Sequence, residues 1–163
     1  MSEAVTAANP VQLSLRIRQL AREAGFQRCG VSGIELGEDE AHLADWLGKG
    51  LYGTMDWMAR HGTLRARPNE LLPGTLRVIS VGMDYGPKED AEAWATLNDS
   101  ERAYVARYAL GRDYHKLMRN LLQKLAERIA SEVGQFGYRV FVDSAPVLER
   151  ALARNAGLGW FCK

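Results

Sequence analysis

The sequence predicts an α/β fold, or a closely related α+β fold, in which layered helices cover a small mixed sheet. Amphipathic segments with helical spacing alternate with short apolar runs, which is the pattern of such layers. Residues 77–85, RVISVGMDY, are almost continuously apolar at their centre, as expected for a strand that is covered on both faces. In 113–133, apolar residues recur every three or four positions, which predicts a long amphipathic helix.

Local signals place the remaining elements. Asn9-Pro10 is typical of a helix start and Gly25 of a helix end, and Asp113 and Gly134 bound the long helix in the same way. Residues 51–75 and 102–115 show no clean period. The other predicted elements are a strand over 26–32, a helix over 38–49, a helical turn over 55–60, a strand over 138–143 and a helix over 146–156.

Composition predicts one soluble domain without a strong net charge. The 163 residues suffice for a single core, which we place in 9–163, with 1–8 as a loose tail. The formal net charge of +1 means that an anionic partner must be met by a local patch. No apolar run is long enough to span a membrane, and the N-terminus lacks the features of a secretory signal. We therefore expect a cytoplasmic protein.

The cysteines and histidines do not form a recognisable metal site. Cys29 and Cys162 lie far apart in the sequence, and the three histidines are scattered. This usage favours a reducing compartment over a disulfide framework or a metal cage. We predict no metal ligands.

The segment FVDSAPVLER, residues 141–150, contains the first candidate for chemistry, Asp143. Asp143 or Ser144 followed closely by Pro146 is typical of a helix start, and spacing alone favours a capping role. The carboxyl end of a strand is also where α/β proteins place ligands. A carboxyl group beside an apolar pocket can stay protonated near neutral pH and act as an acid. The two roles are compatible.

Arginines interleaved with aromatic residues are the second candidate. A solvated face is the simplest interpretation, but guanidinium groups and rings together suit stacking on bases and binding of phosphates. Within GRDYH, 111–115, Tyr114 and His115 either face the same cavity as Asp143 or lie on the surface. The interleaved residues are Trp57, Arg60, His61, Arg65, Arg67, Arg77, Arg102, Tyr104, Arg107, Tyr108, Arg112 and Tyr114.

Five ordered motifs together resemble a known family. They are GTMDWMARH, LRARPNELLPGTLRVISV, RYALGRDYHKLMRN, FVDSAPVLERALA and AGLGW. From about Leu13 to Trp160 the chain resembles the N-terminal part of the epoxyqueuosine reductases, which catalyse the last step of queuosine formation in tRNA. That family is similar to the reductive dehalogenases in its use of cobalamin.

The resemblance implies a cobalamin-binding domain related to nitroreductase-like folds. It implies Asp143 as the proton donor, with Tyr114 and His115 as possible neighbours in the active site. It also implies a substrate, the anticodon loop of tRNAs that carry epoxyqueuosine at the wobble position. The cofactor contacts carried over from the family are Arg67, Ala106, Leu148, Glu149 and Arg150.

The chain also departs from the family pattern. The family continues past GLGW into a ferredoxin-like domain with two [4Fe–4S] clusters and then, usually, a helical-repeat domain. Two cysteines cannot ligate one such cluster, and GWFCK departs from the expected Gly-Lys after the tryptophan. We therefore expect the front domain alone, inactive without its electron relay. The alternatives are a non-catalytic cobalamin- or flavin-binding module, or a truncated fragment without turnover.

Overall fold

Two antiparallel strands lie at the centre of the computed structural model, which describes residues 9–85 and 91–161. The predicted tail 1–8 and Cys162 lie outside the described residues. The strands are β1 (Arg28–Ser32) and β2 (Val78–Gly82). The helices are α1 (Pro10–Glu23), α2 (Gly37–Gly48), α3 (Asp56–Arg60), α4 (Pro68–Leu71), α5 (Ala91–Leu97), α6 (Tyr114–Val133) and α7 (Glu149–Asn155), with 3-10 helices at Gly62–Ala66 and Arg107–Ala109.

Helices cover both faces of the β-sheet. The pairing runs from Arg28 opposite Gly82 to Ser32 opposite Val78, so alternate side chains point to opposite faces. Val31 and Ile79 pack against the core formed by α1 and α6, whereas Val78 packs against the core at α7. The predicted α/β class with layered helices is thus confirmed.

The two cores differ in size and position. The larger one joins α1 to α6 and contains the buried residues Ile17, Leu20, Ala21, Phe26, Leu125 and Ile129. The smaller one contains Leu36, Ala151 and Leu152, with Val147 and Leu148 packed against it. Because Leu148 immediately precedes α7, this smaller core fixes the end of the segment that carries Asp143.

The predicted helix boundaries of α1 and α6 are confirmed. Asn9 Oδ1 accepts a hydrogen bond from the backbone N–H of Val11 at 3.0 Å, and Asp113 Oδ1 accepts one from His115 at 2.9 Å. Gly134 ends α6 with φ 93°, in the region that favours glycine. These ends follow from local side-chain chemistry alone.

The sheet is smaller than predicted. Residues 138–143 form no strand, and the sheet of the described residues is purely antiparallel instead of mixed. The segment is held by side chains: Gln123 of α6 donates a hydrogen bond to Tyr138 Oη at 2.7 Å, and the Arg139 guanidinium lies 5.0 Å from the Phe141 ring. The apolar residues of this segment indicate only that it is partly buried. An irregular segment packed on a helix meets that requirement as well as a strand does.

Two segments without a clean period are now resolved. Residues 51–75 contain α3, the 3-10 helix Gly62–Ala66 and α4. Residues 102–115 are mostly loop, with the short 3-10 helix Arg107–Ala109 before α6 begins. No helix among the described residues is long and apolar enough to cross a membrane.

Candidate active site

Asp143 lies in a tight turn and does not cap a helix. The Ser144 N–H donates to the Val142 carbonyl at 2.6 Å, which closes a three-residue turn around Asp143. Asp143 has φ 55° and is the one non-glycine residue with positive φ among those described. The next helix, α7, begins only at Glu149, with Leu148 as a cap that makes no side-chain hydrogen bond. The predicted capping role of Asp143 or Ser144 is therefore wrong, as is the helix start at 146.

This backbone conformation is unusual for a residue with a side chain. Aspartate and asparagine tolerate the left-handed region better than other non-glycine residues, yet it still carries strain, which tends to occur at functional sites. The Asp143 side chain is 47% exposed. The turn thus presents a carboxylate to solvent at a point fixed by α6 and α7.

Tyr114 and His115 both contact Asp143. The Tyr114 hydroxyl donates a hydrogen bond to Asp143 Oδ2, and His115 Nε2 lies 3.4 Å from the same oxygen. The two rings stack with centroids 4.4 Å apart. On its other side, His115 Nδ1 lies 2.6 Å from Asp113 Oδ1. One imidazole therefore bridges two carboxylates, and the Asp113 cap holds it in place.

Hydrogen bonds within this cluster shift the pKa values of Tyr114 and Asp113 in opposite directions. The hydrogen bond to Asp143 raises the pKa of Tyr114 to about 12, so Tyr114 stays a neutral donor near pH 7. The backbone and side-chain hydrogen bonds from His115 lower the pKa of Asp113, which therefore stays ionised. Glu149 is exposed as a residue. Partial burial of its carboxyl group and, second, the charge of Asp143 raise the pKa of Glu149.

The Tyr114–Asp143 bond gives a prediction about alkaline pH. A raised folded-state pKa stabilises the protein below the unfolded value of about 10, and this contribution is lost as pH rises through the folded value. We expect Tyr114 to titrate at about 12 when phenolate absorbance is followed. In Asp143→Asn the pKa of Tyr114 should move towards about 10. Tyr114→Phe, which removes this phenol, identifies the late step. A late step that persists in Asp143→Asn would contradict the assignment.

A chain of edge-to-face tyrosines leads away from this cluster. Tyr108 lies 6.3 Å from Tyr114 and Tyr85 lies 6.3 Å from Tyr108, at nearly perpendicular ring planes. Tyr85 and Tyr108 are exposed. Ala106, a residue expected to contact the cofactor, is exposed and caps the 3-10 helix that carries Tyr108. The ring contacts thus connect Tyr85 and Tyr108 to Tyr114, which is hydrogen-bonded to Asp143.

The two arginines of the RARP motif have different environments. Arg67 is exposed and makes ion pairs with Glu40 at 2.7 Å and Glu70 at 2.8 Å, which raise its pKa. Arg65 is only 7% exposed, and its Nη2 donates to the Trp57 carbonyl at 3.2 Å. Its own carbonyl accepts the Leu148 N–H at 2.9 Å, so it supports the start of α7. The solvated-face interpretation is wrong for the Arg65 side chain, because that side chain is buried. The alternation of charges and rings in the sequence does not reveal this burial.

Leu148, Glu149 and Arg150 form the other edge of the site. Leu148 is half-buried, while Glu149 and Arg150 are exposed. The Arg150 guanidinium lies 4.9 Å from the Phe161 ring, which connects α7 to the C-terminal segment. The sequence carried no signal for this contact. Of these three residues, Glu149 is the one whose pKa responds to the charge of Asp143.

A cleft of about 250 Å³ lies beside the Asp143 turn. Its lining combines apolar side chains with two arginines and a serine, and Asp143 itself does not line it. The cleft therefore does not include the candidate acid. The lining residues are Arg119, Arg139, Val140, Phe141, Val142, Ser144, Ala145 and Pro146.

Comparison with known proteins shows which proteins this chain is similar to. Residues 65–144 match the family model described as epoxyqueuosine reductase QueG, DUF1730. The whole chain is 76% identical to the epoxyqueuosine reductase of Xanthomonas campestris and covers 46% of that protein. Over its whole length the chain is similar to less than half of an epoxyqueuosine reductase. The epoxyqueuosine reductase of Escherichia coli is 58% identical over 149 residues, which are 91% of this chain and 39% of that protein.

Solved epoxyqueuosine reductases share the fold. A selenomethionine-labelled crystal structure matches with a TM-score of 0.73 and 21% identity, over 93% of this chain and 40% of that chain. An epoxyqueuosine reductase crystallised with an epoxyqueuosine-modified tRNA-Tyr stem loop matches with a TM-score of 0.72 and the same coverage. The chain spans less than half the length of the curated epoxyqueuosine reductases that it matches.

Proposed function

We propose that this chain forms the acid-bearing part of an epoxyqueuosine reductase that converts epoxyqueuosine to queuosine in tRNA. The observation that carries the proposal is Asp143, held in a left-handed turn and contacted by Tyr114 and His115. The similarity to epoxyqueuosine reductases supports the reaction class, because those relatives are named for this reduction. The modified tRNA stem loop bound to one structural neighbour supports tRNA as the partner.

The reaction requires acids as well as electrons. Reduction of an epoxide to an alkene breaks two carbon–oxygen bonds and takes up two electrons and two protons, and the oxygen leaves as water. Side chains do not supply the electrons, so the protein's part is to deliver protons and to position the substrate. The exposed Asp143 carboxyl is the proposed proton donor to the leaving oxygen.

The neighbours of Asp143 support this role. The Tyr114 hydroxyl holds one carboxyl oxygen and fixes its direction. His115 lies between Asp143 and Asp113, so it can pass a proton to Asp143 once the first has been delivered. Asp113 stays ionised, because hydrogen bonds from His115 lower its pKa, and its carboxylate holds the imidazole in place. Two protons can thus be delivered through one carboxyl group.

Cobalamin is the cofactor that we propose, and the residues around Asp143 are compatible with it. Ala106 and Leu148 offer apolar contact, and the exposed Arg67, Glu149 and Arg150 offer charged groups to the amide-bearing edge of a large ring. Bound cobalamin supplies electrons to the substrate. The [4Fe–4S] clusters that would renew them need more cysteines than the two in this chain.

The tRNA anticodon loop is the proposed macromolecular partner. A modified base in RNA must leave its stack to reach a reaction centre on the protein, and aromatic side chains replace the lost stacking. Tyr85 and Tyr108 are exposed rings near Asp143 that can do this. A tRNA substrate also favours a cytoplasmic location.

Arg67→Ala tests the cofactor contact. We expect weaker cobalamin binding by the roughly 1.5–3 kcal/mol of a charged hydrogen bond. The melting temperature should change little, because exposed ion pairs such as those with Glu40 and Glu70 contribute at most about 1 kcal/mol. Visible-absorption titration and thermal melting of one preparation measure both effects. A large fall in melting temperature with unchanged titration would make Arg67 structural.

A turnover assay tests the proposed function directly. The longer protein that contains these residues, supplied with cobalamin, a reductant and epoxyqueuosine-containing tRNA, should produce queuosine, which nucleoside mass spectrometry detects. The 163 residues alone should show no turnover with a natural electron donor, because their cysteines are too few for a cluster. Absence of queuosine from the complete reaction would overturn the proposal, and turnover by these residues alone would refute the need for a cluster domain.

A further inference from the structure

A cationic cleft lies between the start of β1 and the end of α7. Its volume is about 280 Å³, and none of the described residues that line it is acidic. Three arginines reach it from two elements, while a half-buried thiol and a backbone turn complete its wall. The lining residues are Arg18, Arg22, Gln27, Arg28, Cys29, Gly157 and Leu158.

Helix α1 carries one arginine that is ion-paired and two that have no ion-pair partner within the described part of the chain. Arg16 Nε donates to Glu132 Oε2 at 2.8 Å, so its charge is compensated. Arg18 and Arg22 are exposed, line the cleft, and make no hydrogen bond or ion pair with any residue in 9–85 or 91–161. Residues four apart lie on one side of a helix, so the two guanidinium groups can contact the same ligand in the cleft.

The remaining contacts leave the cleft open to an anion. Arg28 makes a long ion pair of 3.4 Å with Asp84, in which both side chains are 63% exposed, so a ligand can compete for it. Burial raises the pKa of the Cys29 thiol, while the charges of Arg18 and Arg22 act to lower it, which shows that these charges are felt inside the cleft. In a chain of net charge +1, such an excess of cations is local.

Hydrogen bonds hold the wall of the cleft in place. The Gln27 side chain is held at both ends, by Gly25 O at 3.1 Å and by the Asp84 N–H at 2.9 Å. Gly157, with φ 76°, turns the chain at the end of α7, and the Leu158 N–H closes this turn on the Ala153 carbonyl at 3.0 Å. The arginines thus surround a preformed concave surface.

We infer that this cleft binds phosphate groups of the RNA strand, as an anchoring site apart from the Asp143 cluster. Arginine forks match phosphate oxygens, and contacts to phosphates position RNA without reading its sequence. The inference rests on the proposed function for the choice of RNA. The shared chemistry is the phosphate group, so free phosphate is the competing ligand to test.

Binding of a 5′-fluorescein-labelled, unmodified anticodon stem loop to this chain tests the inference. Arg18→Gln/Arg22→Gln should weaken binding about 10- to 50-fold at 0.1 M salt and lower the salt slope by about 1.4–1.8, which corresponds to two lost phosphate contacts. Lys49→Gln/Lys124→Gln removes the same charge elsewhere and should retain parent affinity. Circular dichroism and melting confirm that both double variants fold.

Each outcome bears on the inference. If the arginine and lysine variants lose affinity equally, the effect is general charge and the cleft inference fails. If 10 mM phosphate protects the parent against thermal unfolding but the stem loop does not bind, the cleft binds free phosphate and the RNA assignment is wrong. If the arginine variant retains parent affinity, the inference fails, while turnover by the longer protein would leave the proposed function standing.

Discussion

Asp143→Asn is expected to abolish turnover in the longer protein while leaving fold and cofactor in place. General acid catalysis contributes about 10²–10⁴-fold, and an amide cannot deliver a proton to the leaving oxygen. The fold should persist, because asparagine tolerates the left-handed conformation that Asp143 adopts at φ 55°. Cobalamin should remain bound, since other residues are proposed to hold it. Single-turnover kinetics and visible absorption measure these properties separately.

Two further substitutions separate the effect of losing the Asp143 carboxyl group from other effects on charge and backbone. Asp45→Asn changes an exposed carboxylate on α2 and should retain parent activity. Asp143→Gly removes the acid and also relieves the positive φ, which offsets part of the lost Tyr114 hydrogen bond, so it should lose turnover with only a small change in stability. If Asp143→Asn turns over at the parent rate, Asp143 is not the acid, and His115 or Tyr114 becomes the next candidate.

The sequence predicted the helices better than the site geometry. The Asp113 cap follows from contacts between residues two apart, so its signal is local. The role of Asp143 depends on Tyr114, which is 29 positions away, and no spacing rule reports such a contact. The cap interpretation failed because Pro146 precedes α7 by three residues and does not occupy its first turn.

The sheet, too, could be predicted only in part from the sequence. The segments at 28–32 and 78–82 pair over five residues, but 138–143 has a similar apolar pattern and pairs with neither. An apolar pattern encodes which side chains leave water, whereas pairing needs a free strand edge at the right place. Likewise, the RARP motif shows two arginines, but only tertiary packing makes Arg65 buried and Arg67 exposed.

Gly30→Ala is expected to destabilise the protein more than any exposed substitution, because β1 and α7 meet there without space for a side chain. A Cβ at Gly30 would lie 2.4 Å from the Ala156 carbonyl oxygen and 2.9 Å from the Ala156 Cβ. Backbone must therefore shift, at a cost of about 1–3 kcal/mol. For a chain of this size, each kcal/mol lowers the melting temperature by about 2–4 °C.

Gly33→Ala is the matched control, one residue beyond the end of β1. A Cβ there meets no heavy atom within 4 Å, and Gly33 has no positive φ, so the loss of unfolded-state entropy should leave stability unchanged or raise it by about 0.4–1 kcal/mol. Denaturant unfolding of both variants measures the difference. Because Ala156 precedes the Gly157 turn, Gly30→Ala should also displace the wall of the cationic cleft. Equal midpoints for the two variants would mean that the end of α7 moves freely, and the cleft would then not be preformed.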